Sequence, residues 1–157
     1  MNNRIFEENQ RFNQWWLWLG MIALVSIFIY QRYPFEFNQE FLIPFAVLSV
    51  VIGFLFSINL STRIDEQGIH VKMFPFHLKT VTYKWSELYS VEVVEYNPIT
   101  EYGGWGLRIS RNGKAFNVRG NKGIKLQTAD GRSRMIGTQK FDEAKIAIEQ
   151  FSNKSID

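Results

Sequence analysis

The chain has 157 residues, a formal net charge of +3, no cysteine and a mean hydropathy of -0.15. That length permits one ordinary domain, or a small domain with a membrane anchor. The missing cysteine excludes a disulfide scaffold, thiolate metal sites and thiol catalysis. The two histidines, His70 and His77, stand in no metal-ligand pattern.

These averages hide an uneven chain. Only 7 of the 33 charged residues fall in the first 60 positions, yet 14 of the 25 aromatics do. Residues 12–31 and 41–62 carry no Asp, Glu, Lys or Arg. The first apolar run, Trp15 to Tyr30, has Trp15, Trp16 and Trp18 at one end and Tyr30 and Tyr33 at the other, as in the aromatic belts of a spanning helix. Arg11 and Arg32 bracket it. The second run, Phe41 to Leu60, has Pro44 in its first turn, where a missing N–H costs little. A helix needs roughly 20 residues to cross a bilayer core of about 30 Å. The expectation is therefore a transmembrane hairpin within residues 1–61, with helices over 13–32 and 41–60. A cleaved signal peptide fits less well, because no A-x-A-like site follows the first run.

Lys and Arg near the helix ends set orientation. The N-terminal tail has Arg4 and Arg11, the hairpin has Arg32, and the stretch after the second run has Arg63, Lys72 and Lys79. That bias places both termini in the cytoplasm of a bacterial inner membrane, as a multi-pass protein. Ser49, Gly53 and Ser57 recur every four residues on the second helix, a small-residue stripe suited to helix packing.

From residue 62 the pattern becomes short strands with frequent turn signals, the mark of an antiparallel sandwich or barrel. Thr62–Glu66 and Ile69–Phe74 flank Gln67-Gly68. Thr80–Trp85 and Leu88–Tyr96 follow. Gly106–Arg111 and Ala115–Arg119 surround Asn112-Gly113, a strong two-residue hairpin signal that would pair Ile109 with Phe116 and Leu107 with Val118. Ile124–Thr128 and Ser133–Thr138 surround Asp130-Gly131, which would pair Leu126 with Met135. The GGWG segment at 103–106 reads as a turn or bulge. In 140–152 the period changes: Phe141, Ala144, Ala147, Ile148 and Phe151 recur at helical spacing, with Asp142 and Glu143 in the first turn.

Strands in series followed by one helix, over 62–157, resemble a pleckstrin-homology-like (PH-like) domain. The residues behind the resemblance are Gly104-Trp105-Gly106-Leu107-Arg108-Ile109, Val118-Arg119-Gly120-Asn121-Lys122-Gly123-Ile124, Asp130-Gly131-Arg132 and Ile136-Gly137-Thr138-Gln139. With the hairpin, the chain is similar to small bacterial two-span membrane proteins that carry such a domain at the C-terminus. The resemblance implies a mainly β (α+β) fold and a membrane location rather than an activity. The hairpin that is basic in phosphoinositide-binding members is Asp65-Glu66-Gln67-Gly68 here, so inositol phosphates are not the expected ligand.

No nucleophile elbow, phosphate loop or nucleophile–base pair is visible, so no enzyme and no cofactor is expected. The acidic stretch Glu87, Glu92, Glu95 and Glu101 reads as a solvated strand edge. Residues 106–140 hold nine Lys and Arg and a single acid, Asp130. Arg108, Arg111, Lys114, Arg119, Lys122, Lys125, Arg132 and Arg134, with Trp105, form the candidate binding surface. Its expected ligand is a protein partner or anionic lipid headgroups. The alternative is an assembly subunit that uses the hairpin as its interface. No recognition helix accompanies the basic charge, so nucleic acid is not an expected partner.

Overall fold

The computed structural model describes residues 6–12, 14–31 and 39–152. Arg4 and the hairpin residues Arg32, Tyr33 and Glu36 lie outside them. The chain divides into two compact units, one of Met1–Arg11 with Ile58–Asp157 and one of Phe12–Ser57.

The smaller unit holds α1 (Trp15–Gln31) and α2 (Gln39–Ser57). Trp18 and Phe56 stack with ring centroids 4.5 Å apart, joining the start of α1 to the end of α2. Half-buried positions recur at helical spacing, at Trp18, Met21, Val25 and Phe28 on α1 and at Leu48, Ile52 and Leu55 on α2. Most other described side chains of this unit are exposed apolar groups.

The expected pair of transmembrane helices is corrected here. α1 has 17 residues, about 26 Å of helix, because residues 12–14 precede it. In the second run, Asn59 and Leu60 already belong to the next strand, and Gln39 and Glu40 occupy the first turn of α2. Among the described residues no helix is long and apolar enough to cross a membrane. The integral-membrane, multi-pass, inner-membrane placement with cytoplasmic termini was inferred from those spans and falls with them.

The larger unit is built on two sheets. The first contains β1 (Phe6–Arg11), β2 (Asn59–Asp65), β3 (Gly68–Phe74) and β4 (Val81–Lys84) in that order, all antiparallel. The second contains β5 (Leu88–Glu95), β6 (Gly106–Ser110), β7 (Gly113–Asn117), β8 (Lys122–Thr128) and β9 (Ser133–Gly137) in the order β5-β8-β9-β7-β6. A short α3 (Pro98–Tyr102) and a C-terminal α4 (Phe141–Ser152) complete it.

This differs from the expected antiparallel PH-like sandwich in two ways. β1 comes from the chain before α1 and pairs with β2, Arg11 opposite Asn59. The helical segment is thus an insertion between two paired strands, and the unit does not start at residue 62. β9 also runs parallel to β7, which makes the second sheet mixed.

The core follows the period-two rule for strands. Leu60, Ile64, Ile69, Val71 and Met73 from the first sheet, and Ile124, Leu126 and Ile136 from the second, are all but fully buried. α4 buries Ala144, Ala147, Ile148 and Phe151 and packs on β1, β2, β5 and β8. Ile146 is off that face and exposed.

β1 reverses the usual composition of an inward face. Phe6, Glu8 and Gln10 are its buried members. The Glu8 carboxylate accepts from the Thr138 hydroxyl at 2.6 Å and from the Gln139 N–H at 2.8 Å. Gln10 Nε2 donates to the Gly137 carbonyl at 2.7 Å. Buried polar groups are tolerated where they find such partners.

A second polar knot lies in the five-stranded sheet. Asn117 is fully buried; its Oδ1 accepts from the Gly106 N–H at 2.9 Å and its Nδ2 donates to the Tyr96 hydroxyl at 2.8 Å. Burial pushes the Tyr96 phenol up to about 12, from an ordinary value of 10.0. The folded chain therefore keeps a proton that the unfolded chain releases at lower pH. Stability carried by this group is complete below pH 10.0 and is lost as pH rises through about 12. Urea titrations across this range should show a steep alkaline loss that Tyr96→Phe flattens. At neutral pH the same variant should cost about 1 kcal/mol, because Asn117 loses an acceptor.

Candidate functional site

A cleft of about 730 Å³ opens on the face of the five-stranded sheet opposite the main core. Its floor is formed by Tyr96, Tyr102 and Met135 with Val94 beside them, and fully buried Ala115 packs in the same cluster. Tyr96 and Tyr102 meet edge to face, ring centroids 5.7 Å apart.

α3 holds Tyr102 in place, and the local sequence explains its fold. Asn97 caps the helix, its Oδ1 accepting from the N–H groups of Ile99 and Thr100. Pro98 occupies the first turn, where its missing donor is no loss. Gly103 ends the helix in the left-handed region at φ 74°. The GGWG segment is thus in part a helix terminus rather than a simple turn.

The strand registers set the walls. Gly106–Ser110 pairs with Gly113–Asn117 so that Leu107 faces Phe116 and Ser110 faces Gly113. The turn is therefore Arg111-Asn112, and the expected pairing of Ile109 with Phe116 is shifted. Gly113 has φ 107°, and a Cβ there would stand 2.2 Å from the Ser133 carbonyl oxygen. Glycine is needed at this point for the close approach of β9. The β8–β9 hairpin pairs Lys125 with Met135 and Leu126 with Arg134, one residue off the expected register. Thr128 and Arg132 close that loop, with the Thr128 N–H donating to the Arg132 carbonyl at 3.0 Å.

Four cations of the predicted surface line this cleft, Arg111 from the β6–β7 turn, Lys125 from β8, Arg132 from the β8–β9 loop and Arg134 from β9, with Glu95 and Glu101 also in the lining. Arg132 Nε also pairs with Asp130 at 3.1 Å, an exposed contact. Asn112 and Gln127 add amide groups. The nearby Glu101 carboxylate is turned to the Asn97 N–H at 2.7 Å.

Arg134 is drawn partly aside, and the other predicted residues are dispersed. Arg134 contributes to the wall, but its guanidinium donates to the Ser133 carbonyl at 2.9 Å and reaches the Tyr83 phenol of β4. Burial raises the Tyr83 phenol above its ordinary range against the opposing charge of Arg134. Lys122 pairs with Glu95 at 3.6 Å and lies over the Phe141 ring at 5.1 Å. Arg108 Nε donates to the Trp105 carbonyl at 3.0 Å, and Trp105 Nε1 donates to the Gly120 carbonyl at 3.0 Å. Lys114 and Arg119 are exposed and do not line the cleft. The acidic stretch does lie at a sheet edge: β5 ends the strand order of its sheet, and Glu92 and Glu95 are exposed on it, opposite Lys125 and Lys122 of β8. Within the helical unit, Ser49 and Ser57 donate to the Phe45 and Phe54 carbonyls of their own helix, and Gly53 has no non-local heavy atom within 4 Å of an added Cβ.

The four-stranded sheet carries a constellation that residue spacing alone does not reveal. His70 lies between Arg63 and Thr82 in neighbouring strands. Its Nε2 is 2.9 Å from Asp65 Oδ1 and its Nδ1 is 2.9 Å from Thr82 Oγ1. Burial raises the Asp65 carboxyl, but hydrogen bonds from His70 and the Gln67 N–H, with the charges of His70 and Arg63, outweigh it and hold the group below its usual range. Register was the missing signal, because Asp65, His70 and Thr82 come from three strands.

Among the described residues no group of histidines and carboxylates could hold a metal ion. Compared with known proteins, the chain matches no family model and no curated protein.

The cleft depends on β9 lying close to β7. Gly113→Ala should therefore lower the urea midpoint and shift the resonances of Ser133 and Arg132, while Gly53→Ala, a helical position where no neighbour stands within 4 Å of the added carbon, should leave the Ser133 resonance in place.

Proposed function

We propose that the protein is a binding module at this cleft, taking an acidic segment of a protein partner. The observation that carries the reading is the convergence of Arg111, Lys125 and Arg132 around a tyrosine floor. Guanidinium groups suit carboxylates, which they engage through two parallel N–H donors. The amides of Asn112 and Gln127 supply further hydrogen bonds to a backbone or side chain.

A peptide segment suits the cleft better than a lipid headgroup plane. The site is concave, and the remaining cations of the block lie elsewhere: Lys114 and Arg119 outside the cleft, Lys122 over Phe141. No flat sheet of positive charge supports the lipid reading. Steering by these cations would speed association at low salt and weaken as ions screen it.

The test is fluorescence anisotropy of a labelled hexaglutamate-containing peptide with the full-length chain. Binding should weaken with salt, and Arg132→Glu with Lys125→Glu should reduce it by at least roughly tenfold, about 1.4 kcal/mol. Arg119→Glu should change it little. Binding to phosphatidylserine vesicles without binding to the peptide would overturn the reading, as would equal loss from Arg119→Glu.

A further inference from the structure

Asp65, His70 and Thr82 form a hydrogen-bonded line at the edge of a second cleft, of about 690 Å³, on the four-stranded sheet. With the imidazole neutral, the form a general base requires, the chemistry of the three groups fixes their roles. An ionised carboxylate only accepts, so His70 Nε2 carries the hydrogen that Asp65 receives. Nδ1 is then the bare nitrogen, and the Thr82 hydroxyl donates to it. This is the order of a nucleophile, a base and a group that orients the base.

The scaffold holds that order firmly. Asp65 also accepts from Arg63 Nε at 3.1 Å and from the Gln67 N–H at 2.9 Å. The indole of buried Trp85 donates to the Asp65 carbonyl at 2.9 Å. Gly68 brings β4 against β3, since a Cβ there would stand 2.1 Å from the Tyr83 carbonyl oxygen. His70 and Asp65 keep 16% side-chain exposure each, whereas Thr82 is open to solvent. The base is shielded and the hydroxyl is reachable.

We propose that Thr82 is an acyl-accepting nucleophile, with His70 as its general base and Asp65 as the positioning residue, acting on small uncharged esters. In the first step Thr82 Oγ1 bonds to the ester carbonyl carbon and its proton passes to His70 Nδ1. The bond to the leaving alcohol then breaks, and the alcohol departs with that proton. Water attacks the acyl-threonine in the second step, giving up a proton to His70. The proton returns to Thr82 as the carboxylic acid leaves. The lining explains the substrate class: Arg63 and Lys72 balance Asp65 and Glu66, so the cleft carries no net charge to select an ion. Lys72, two residues beyond His70 on the same face of β3, and Thr80 are the donors available to the carbonyl oxygen.

The activity uses residues outside the cleft on the five-stranded sheet, so either proposal can fail without the other. The experiment is p-nitrophenyl acetate hydrolysis by the full-length protein, with peptide mass mapping of the acetylated residue. The acetyl group should map to Thr82. Thr82→Val and His70→Gln should each lower the rate by roughly 10²-fold, with unchanged urea midpoints showing that the fold survives. Thr82→Ser should retain it. Asp65→Asn can donate to Nε2 and so turn the imidazole to the wrong tautomer; it should lower the rate and alter the pH–rate profile rather than the profile's height alone. Acetylation confined to lysines or to His77, or a Thr82→Val rate equal to that of the native chain, would overturn the proposal.

Discussion

The buried carboxylate of Glu8 is the contact on which the larger unit turns. It sits on β1, near the start of the chain, and accepts hydrogen bonds from Thr138 and Gln139, just beyond β9. With Gln10 bonded to Gly137, it ties the first strand to the end of the second sheet across more than 120 residues. An unpaired carboxylate in that position would be costly to bury. The chain therefore commits β1 to the sheet before the helical insertion begins, and commits the segment that leads into α4 to the same point. Both clefts rest on that closure: β1 lies beside β2, which carries Asp65, and β9 forms a wall of the basic cleft.

The two clefts divide the chemistry of the protein. The five-stranded sheet presents cations around tyrosines, with most nearby acids already engaged. The four-stranded sheet presents a neutral lining with a histidine fixed at both ring nitrogens. The first arrangement is suited to holding a charged group. The second is suited to moving a proton. They occupy different sheets, so binding in one need not compete with chemistry in the other.

How much of this the sequence discloses depends on how local the cause is. The final helix was legible because its apolar stripe alone decides which face is buried. The strands from β2 to β9 were legible from alternation and turn residues. β1 was not, because its inward face is Phe6, Glu8 and Gln10; polar residues on that face hide the alternation. α3 was too short to show a period. The hairpin register at Asn112-Gly113 was misread because Gly113 serves the contact with Ser133 and not the turn. The apolar runs were read as longer helices because Asn59 and Leu60 carry no signal that separates a helix end from a strand start. Counting charge located the basic block but could not assign faces, so Lys122, facing Glu95, was grouped with Arg111 and Arg132. The Asp65–His70–Thr82 line was invisible for the same reason, since register across three strands is not written in residue spacing.

Amide chemical-shift mapping during titration with a short acidic peptide tests the central claim most directly. The account predicts perturbations concentrated at Arg111, Asn112, Lys125, Gln127 and the Thr128–Arg132 loop, fading as salt is added. Perturbations centred on Arg63, His70 and Thr82, or spread over Lys114 and Arg119 while the tyrosine-floored cleft stays silent, would contradict it.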